Sequence, residues 1–160
     1  MDKTAVVFGA GNIGRGFLGS LLWKSGFSPI FIDTDKQKIE LINQRREYSV
    51  IIASNNGITE EVVENISGIE FSDSDNLTRA IVEAEVILTA VGKNALPAVA
   101  VSLAKGLVER IKRRPNSDIH VVIACENVTD NTGYLRELIL KNLSAQYLFV
   151  YFRKLSNNSV

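Results

Sequence analysis

Short apolar runs alternate with longer stretches of helical spacing along this chain. Residues 4–8 (TAVVF) are apolar and β-branched, and glycines follow them at once. A run of that length bounded by turn residues predicts a strand buried on both faces. The spacing then changes. Ile13, Phe17, Leu18, Leu21 and Leu22 recur at helical intervals over residues 13–24, and Ser25-Gly26 is a plausible stop. Residues 29–32 predict a second short strand, ending in Asp33. Residues 35–44 predict a second helix with Ile39, Leu41 and Ile42 turned inward.

The middle of the chain breaks this rhythm. Residues 48–52 and 58–63 read as two strands around Ser54-Asn55-Asn56-Gly57, and Asn-Gly is a strong hairpin signal. They predict an antiparallel insertion. The alternation then resumes with a helix over 77–83, a buried strand over 86–90 (VILTA) and a long amphipathic helix over 96–113. A further strand over 119–124 (IHVVIA) and a helix over 130–142 follow, with Thr129 or Asp130 as the cap. The long helix ends in Arg110, Lys112, Arg113 and Arg114 before Pro115. Cations there suit the negative end of a helix dipole, and the run reads as a solvated helix end.

Strands alternating with helices imply right-handed crossovers and a mostly parallel sheet covered on both faces. The expected fold is therefore α/β and doubly wound, with a small antiparallel hairpin insertion. No linker divides the chain. One domain is expected over residues 1–143, followed by an atypical C-terminal tail over 144–160. The aromatic part of that tail reads as a last sheet strand or as an exposed, sticky segment.

Composition narrows the function classes. Eighteen Lys plus Arg balance eighteen Asp plus Glu, so a broad basic face for nucleic acid is not expected. No apolar run approaches the roughly 20 residues that span a bilayer. The single cysteine, Cys125, cannot form an intrachain disulfide. With no secretion signal in view, a reducing cytoplasm is the expected location.

The sharpest chemical signal is Gly9-Ala10-Gly11-Asn12-Ile13-Gly14, a G-x-G-x-x-G between the first strand and the first helix. Gly9 permits the tight turn, Gly11 lets a pyrophosphate approach the backbone, and Gly14 lets helix and strand pack closely. The helix start offers free N–H groups and positive dipole to the phosphates. Asp33 follows about 20 residues later, at the end of the second strand, where a carboxylate accepts from the adenosine ribose hydroxyls. It would repel a 2′-phosphate, which favours NAD over NADP. Lys36 and Lys38 are close enough to temper this. The whole unit predicts a Rossmann dinucleotide site rather than a glycine turn that binds nothing.

Other strand ends carry further candidates. Thr89-Ala90-Val91-Gly92 leaves room for a nucleotide, or simply makes a tight turn. In Cys125-Glu126-Asn127, Glu126 is placed to accept a hydrogen bond. Asn127 is placed to bond a ribose or substrate hydroxyl, or to cap a helix. Cys125 reads as a small hydrophobe, with no cation in sequence to lower its pKa. His120, the only histidine, lies inside an apolar strand and reads as structural. No Tyr-x-x-x-Lys pair and no Cys/His metal cluster occur, so the catalytic set is empty.

The block Phe8-Gly9-Ala10-Gly11-Asn12-Ile13-Gly14-Arg15-Gly16-Phe17 resembles the opening of the mannitol-1-phosphate 5-dehydrogenases, in the polyol-specific long-chain dehydrogenase family. Thr89-Ala90-Val91-Gly92, Ala104-Lys105-Gly106-Leu107 and Ala124-Cys125-Glu126-Asn127 match that family in order and approximate spacing, over residues 3 to 142. The resemblance implies NAD-dependent interconversion of mannitol 1-phosphate and fructose 6-phosphate. It implies that Gly9, Ala10, Gly11, Asn12, Ile13, Gly14, Arg15, Gly16 and Asp33 hold NAD. Ala90, Val91, Gly92 and Asn127 join them, with Val91 and Asn127 near the nicotinamide end.

It further implies a helical C-terminal domain with a Lys-x4-Asn-x2-His catalytic motif, which these 160 residues lack. The chain is thus expected to be an NAD-binding domain alone, binding cofactor with little or no hydride transfer. The alternative is a dinucleotide sensor or regulatory module. A third reading, a hydroxyacid or hydroxyacyl dehydrogenase, shares the glycine loop but not FGAGNIGRGF with ACEN. An uncovered domain face is a route to self-association.

Overall fold

The first apolar run forms β1 (Lys3–Phe8), which lies in the middle of a five-stranded parallel sheet. This is a computed structural model, and it describes residues 3–54, 57–114, 121–126 and 130–143. Helix α1 opens as a wide, π-helical segment over Asn12–Gly19 and continues as α-helix over Ser20–Lys24. It leads into β2 (Phe27–Asp33), and α2 (Lys36–Arg45) follows. Asp35 starts α2 by accepting the backbone N–H of Lys38 at 3.0 Å, and Arg46 ends it in the left-handed conformation at φ 58°.

The hairpin is present as β3 (Glu47–Ser54) paired antiparallel with β4 (Gly57–Glu64). It forms a separate two-stranded sheet. Tyr48 docks it on α1. The hydroxyl donates to the Arg15 carbonyl at 2.6 Å, and the ring packs edge-on against Phe31 at 6.1 Å. Burial pushes the phenol pKa well up, against the pull of the Arg15 guanidinium, so Tyr48 stays a donor. From the other side, Glu61 accepts from Ser20 Oγ at 2.6 Å and pairs with Lys24 at 2.8 Å.

The chain then adds β5 (Ser67–Glu70), α3 (Ser74–Glu83), β6 (Val86–Thr89), α4 (Leu96–Arg113), β7 (Val121–Ala124) and α5 (Asn131–Lys141). The sheet order is β5-β2-β1-β6-β7, so the winding direction reverses between β1 and β6. This is the doubly wound order whose switch point lies beside β1. Residues 119–120, at the start of the expected strand, lie outside the described residues, as do Thr129 and the tail over 144–160. Asp130 precedes α5, but its side chain makes no cap hydrogen bond.

Two apolar layers follow from the winding. Leu18, Leu22, Ile39, Ile42 and Val63 cover Ala5, Val7, Phe31 and Leu88 on one face. Leu77, Ile81, Val99, Leu103, Leu135 and Ile139 cover Val6, Phe8, Ile32 and Ile87 on the other.

Four expectations need correction. β5 was not anticipated: four residues with a glycine carry no apolar run, and only pairing with β2 defines it. Leu41 faces solvent, because α2 buries only the row through Ile39 and Ile42. Arg110 is buried rather than solvated. Its guanidinium donates to the carbonyl of Val82 and, at 3.2 Å, to that of Ala84, covering the C-terminal carbonyls of α3.

The fourth concerns the cover of the sheet. Ile13, Phe17 and Leu21 are 55%, 64% and 51% exposed, although their spacing matches that of a core row. α1 turns Gly14, Leu18 and Leu22 to the sheet, and Arg15, Gly19 and Lys24 flank that row on the hairpin side. β7 also exposes apolar side chains on this face of the sheet. There Val121 and Ile123 pair in register with Val86 and Leu88 and share their face, yet both are exposed. Among the described residues, no helix covers that face of β7. Helices wound after the switch point all fall on the opposite face.

Candidate functional site

The tight turn after β1 sets the site. Gly9 has φ +96°, and a Cβ there would lie 2.3 Å from the Ala90 carbonyl oxygen. A Cβ on Gly14 would lie 1.8 Å from the Gly9 carbonyl oxygen. Both positions are closed to any side chain. Gly11 is different: its φ is −79°, and a Cβ would meet nothing within 4 Å. Its missing side chain leaves open space rather than relieving a clash, as a close-approaching ligand needs. Gly11 also occupies the N-cap position of α1 with no side-chain cap, so the first-turn amides keep their donor capacity.

Gly11 borders a cleft of about 300 Å³ at the carboxyl ends of the strands. Phe8, Gly9, Ile32, Asp33, Ala90 and Val91 line it, together with Thr34, Phe71, Ala95, Ala98 and Val99. The wall is mostly apolar, with the Asp33 carboxylate as its one ionised side chain among the described residues. A flat aromatic base suits such a wall, and a ribose diol suits such a carboxylate.

Asp33 is held firmly. Oδ2 accepts from the Ala10 backbone N–H at 2.8 Å and from Lys38 Nζ at 3.2 Å, and Oδ1 accepts from Asp35 N–H at 3.0 Å. Burial alone would raise its pKa. The two backbone donors and Lys38 outweigh it and hold the carboxyl below the ordinary carboxylate range. Ala10 is gripped from both ends, since its carbonyl accepts from Arg15 Nε at 2.8 Å.

The two later motifs meet beside this cleft. Glu126 Oε1 accepts from Val91 N–H at 2.9 Å, and Oε2 accepts from Gly92 N–H at 2.7 Å. Gly92 has φ +83° and leads through a short turn (Lys93–Ala95) into α4. Gly92 makes the tight turn, and Ala90 and Val91 line the cleft. Asn131 Nδ2 donates to the Glu126 carbonyl and fixes the clamp.

Of the remaining anticipated residues, Asn12, Ile13 and Gly16 lie exposed on the opening segment of α1. Asn127 and His120 lie outside the described residues. Burial and the neighbouring Glu126 push the Cys125 thiol pKa up, which does not favour a nucleophilic thiolate. Sequence reasoning missed Phe71 because it missed β5, whose end carries it. Ala95, Ala98 and Val99 were legible only as one face of α4.

The mannitol dehydrogenase Rossmann domain family matches residues 3–156. The chain belongs to that family. Membership implies a nicotinamide dinucleotide as its ligand.

A mannitol-1-phosphate 5-dehydrogenase of Oceanobacillus iheyensis is 46% identical over 144 residues, covering 89% of this chain and 36% of that protein. One from Thermoanaerobacter pseudethanolicus is 44% identical over 138 residues, covering 86% and 34%. The chain spans about a third of the length of these curated relatives. Among solved structures, a UDP-glucose dehydrogenase from Pyrobaculum islandicum matches with a TM-score of 0.62 at 13% identity, covering 91% of this chain and 34% of that one. At that identity the likeness concerns the fold alone. Among the described residues of this mannitol dehydrogenase Rossmann domain, no helix is long and apolar enough to cross a membrane, and no cluster suited to a metal ion occurs.

Proposed function

We propose that the cleft binds NAD and that the domain is the cofactor-binding part of an NAD-dependent mannitol-1-phosphate 5-dehydrogenase, interconverting D-mannitol 1-phosphate and D-fructose 6-phosphate. The observation that carries the cofactor choice is Asp33, an ionised carboxylate at the end of β2 on the cleft wall. A carboxylate there accepts from the two ribose hydroxyls and repels a 2′-phosphate. The names of the relatives support the reaction and the sugar-phosphate substrate, and they favour a dehydrogenase over a sensor.

In this reading Gly9 through Gly16 embrace the pyrophosphate, with Ala90, Val91 and Gly92 beside them. The family resemblance assigns Asn127, outside the described residues, to the nicotinamide end. NAD supplies the hydride acceptor. The chain's own residues bind and orient it, while Glu126 fixes the Val91–Gly92 backbone. Residues 1–143 act as the cofactor domain, and substrate contacts and proton transfer belong to the remainder of the longer relatives. We expect the 160 residues to bind NAD with little or no hydride transfer of their own. We place the protein in the cytoplasm, where Cys125 stays reduced.

A second copy of the chain is the proposed occupant of the exposed Phe17 and Leu21 patch. Zero net charge offers no electrostatic barrier to such pairing.

Calorimetric titration with NADH and NADPH tests the cofactor choice. NADH is expected to bind more tightly, and tighter binding of NADPH would overturn the role given to Asp33. Hydride transfer above background from mannitol 1-phosphate to NAD by this chain would overturn the division of labour.

A further inference from the structure

The Asp33 carboxylate is already crowded before any ligand is considered. An ionised carboxylate offers about four acceptor positions, two on each oxygen. Oδ2 takes two donors, Ala10 N–H at 2.8 Å and Lys38 Nζ at 3.2 Å. Oδ1 takes Asp35 N–H at 3.0 Å and, among the described residues, keeps one position open. A ribose diol brings two hydroxyl donors. Accepting both requires one present donor to leave.

The three donors are not equally movable. Ala10 and Asp35 donate from the backbone of two turns that the fold fixes. Lys38 donates from the end of a four-carbon side chain and has a second carboxylate within reach, Asp35 Oδ2 at 3.5 Å. Lys36 does not compete, because it extends to Glu40 at 3.9 Å with 70% of its side chain exposed. One ammonium is therefore stationed against the carboxylate, and it is the donor free to swing aside.

Its effect depends on the substituent at the ribose 2′ position. A free hydroxyl needs the acceptor position that Lys38 covers, so the ammonium competes with it. A 2′-phosphate meets two opposing charges, repelled by Asp33 and attracted by Lys38. We infer that Lys38 sets the ratio of NADH to NADPH affinity at this site, its ammonium offsetting the discrimination that the Asp33 carboxylate alone would impose. The inference rests on the dinucleotide reading of the cleft and deepens it. Backbone capping of α2 does not depend on this side chain, since Asp35 Oδ1 accepts the Lys38 backbone N–H. The side chain can thus be altered without removing the cap.

The test is fluorescence titration of the 160-residue chain with NADH and NADPH, in wild type, Lys38→Met and Lys38→Arg, with melting temperatures measured alongside. Met keeps the apolar stem and removes the charge; Arg keeps the charge. Lys38→Met is expected to weaken NADPH about tenfold while NADH holds or tightens, and Lys38→Arg to retain most NADPH affinity. The difference is expected to shrink at high ionic strength. If wild type binds and the affinity ratio is unchanged in Lys38→Met at an unchanged melting temperature, the role of Lys38 is wrong. An equal loss of both ligands in Met and Arg variants makes Lys38 merely structural and also overturns the inference. If folded wild type binds neither ligand, the cleft reading falls and the inference falls with it.

Discussion

Asp33 Oδ2 accepts the backbone N–H of Ala10 at 2.8 Å, across 23 residues of sequence. The carboxylate at the end of β2 thus also braces the glycine loop at the end of β1. Replacing it with Asn is expected to weaken NADH binding by roughly 10- to 100-fold, since hydrogen bonds to a charged group are worth about 1.5–3 kcal/mol each. Titration of Asp33→Asn checks this.

The same brace has a pH dependence of definite sign. The folded-state pKa of Asp33 lies below its ordinary value, so the folded state favours the charged form. Its contribution to stability is fully present above the unfolded pKa of about 4, and it is lost as pH falls through the lower folded value. Chemical denaturation of wild type and Asp33→Asn is expected to show a constant gap between about pH 6 and 8 that closes in the acid range. A gap that widens on acidification would contradict the brace.

The glycines separate stability from binding. Gly9→Ala forces a left-handed alanine against the Ala90 carbonyl, and Gly14→Ala collides with the Gly9 carbonyl. Each is expected to destabilise the domain by more than the roughly 1–2 kcal/mol of the left-handed penalty or a comparable strain. Gly11→Ala meets nothing within 4 Å, so its melting temperature is expected to hold while dinucleotide affinity falls. Thermal denaturation and titration of the three variants measure both quantities.

Much of this was legible in the sequence. The strand, glycine loop, helix and Asp33 announce themselves because each has a local physical requirement: a tight turn, an open approach, an acceptor on time. The antiparallel hairpin was likewise visible in Asn56-Gly57 and its flanking runs. What stayed hidden depends on partners distant in sequence. β5 is a strand only because Ile30 to Asp33 pair with Ser67 to Glu70. Ile13, Phe17 and Leu21 look like a core row because periodicity reveals an apolar face without showing what covers it. Arg110 looks solvated until α3 brings its last carbonyls alongside.

Arg110 yields a clean stability test away from the cleft. Arg110→Met removes the donor that serves the Val82 and Ala84 carbonyls. A loss of about 2–3 kcal/mol is expected, from charged hydrogen bonds removed and buried acceptors left short. Dinucleotide affinity is expected to stay unchanged. Denaturant unfolding and titration of the same variant check both halves.

Glu126 behaves differently. Glu126→Gln offers one acceptor where two backbone donors, Val91 N–H and Gly92 N–H, now find two. One donor is left facing an amide NH2, at a cost of about 1–3 kcal/mol. Because Val91 lines the cleft, cofactor affinity is expected to fall as well, with Glu126→Ala worse than Glu126→Gln. Unchanged NADH affinity in both variants would remove the clamp from the account.

Phe17 tests the uncovered face. Phe17→Ser alters a side chain that is 64% exposed, so stability is expected to stay within about 0.5 kcal/mol of wild type. Sedimentation is expected to show less self-association than wild type at equal concentration.

The central claim is that the Gly9–Asp33 cleft holds a nicotinamide dinucleotide. Calorimetric titration of NADH into wild type and Gly11→Ala, both verified as folded, tests it most directly. Saturable one-site binding to wild type, weakened in Gly11→Ala, is the predicted result. Folded wild-type protein that binds neither NADH nor NADPH would contradict it.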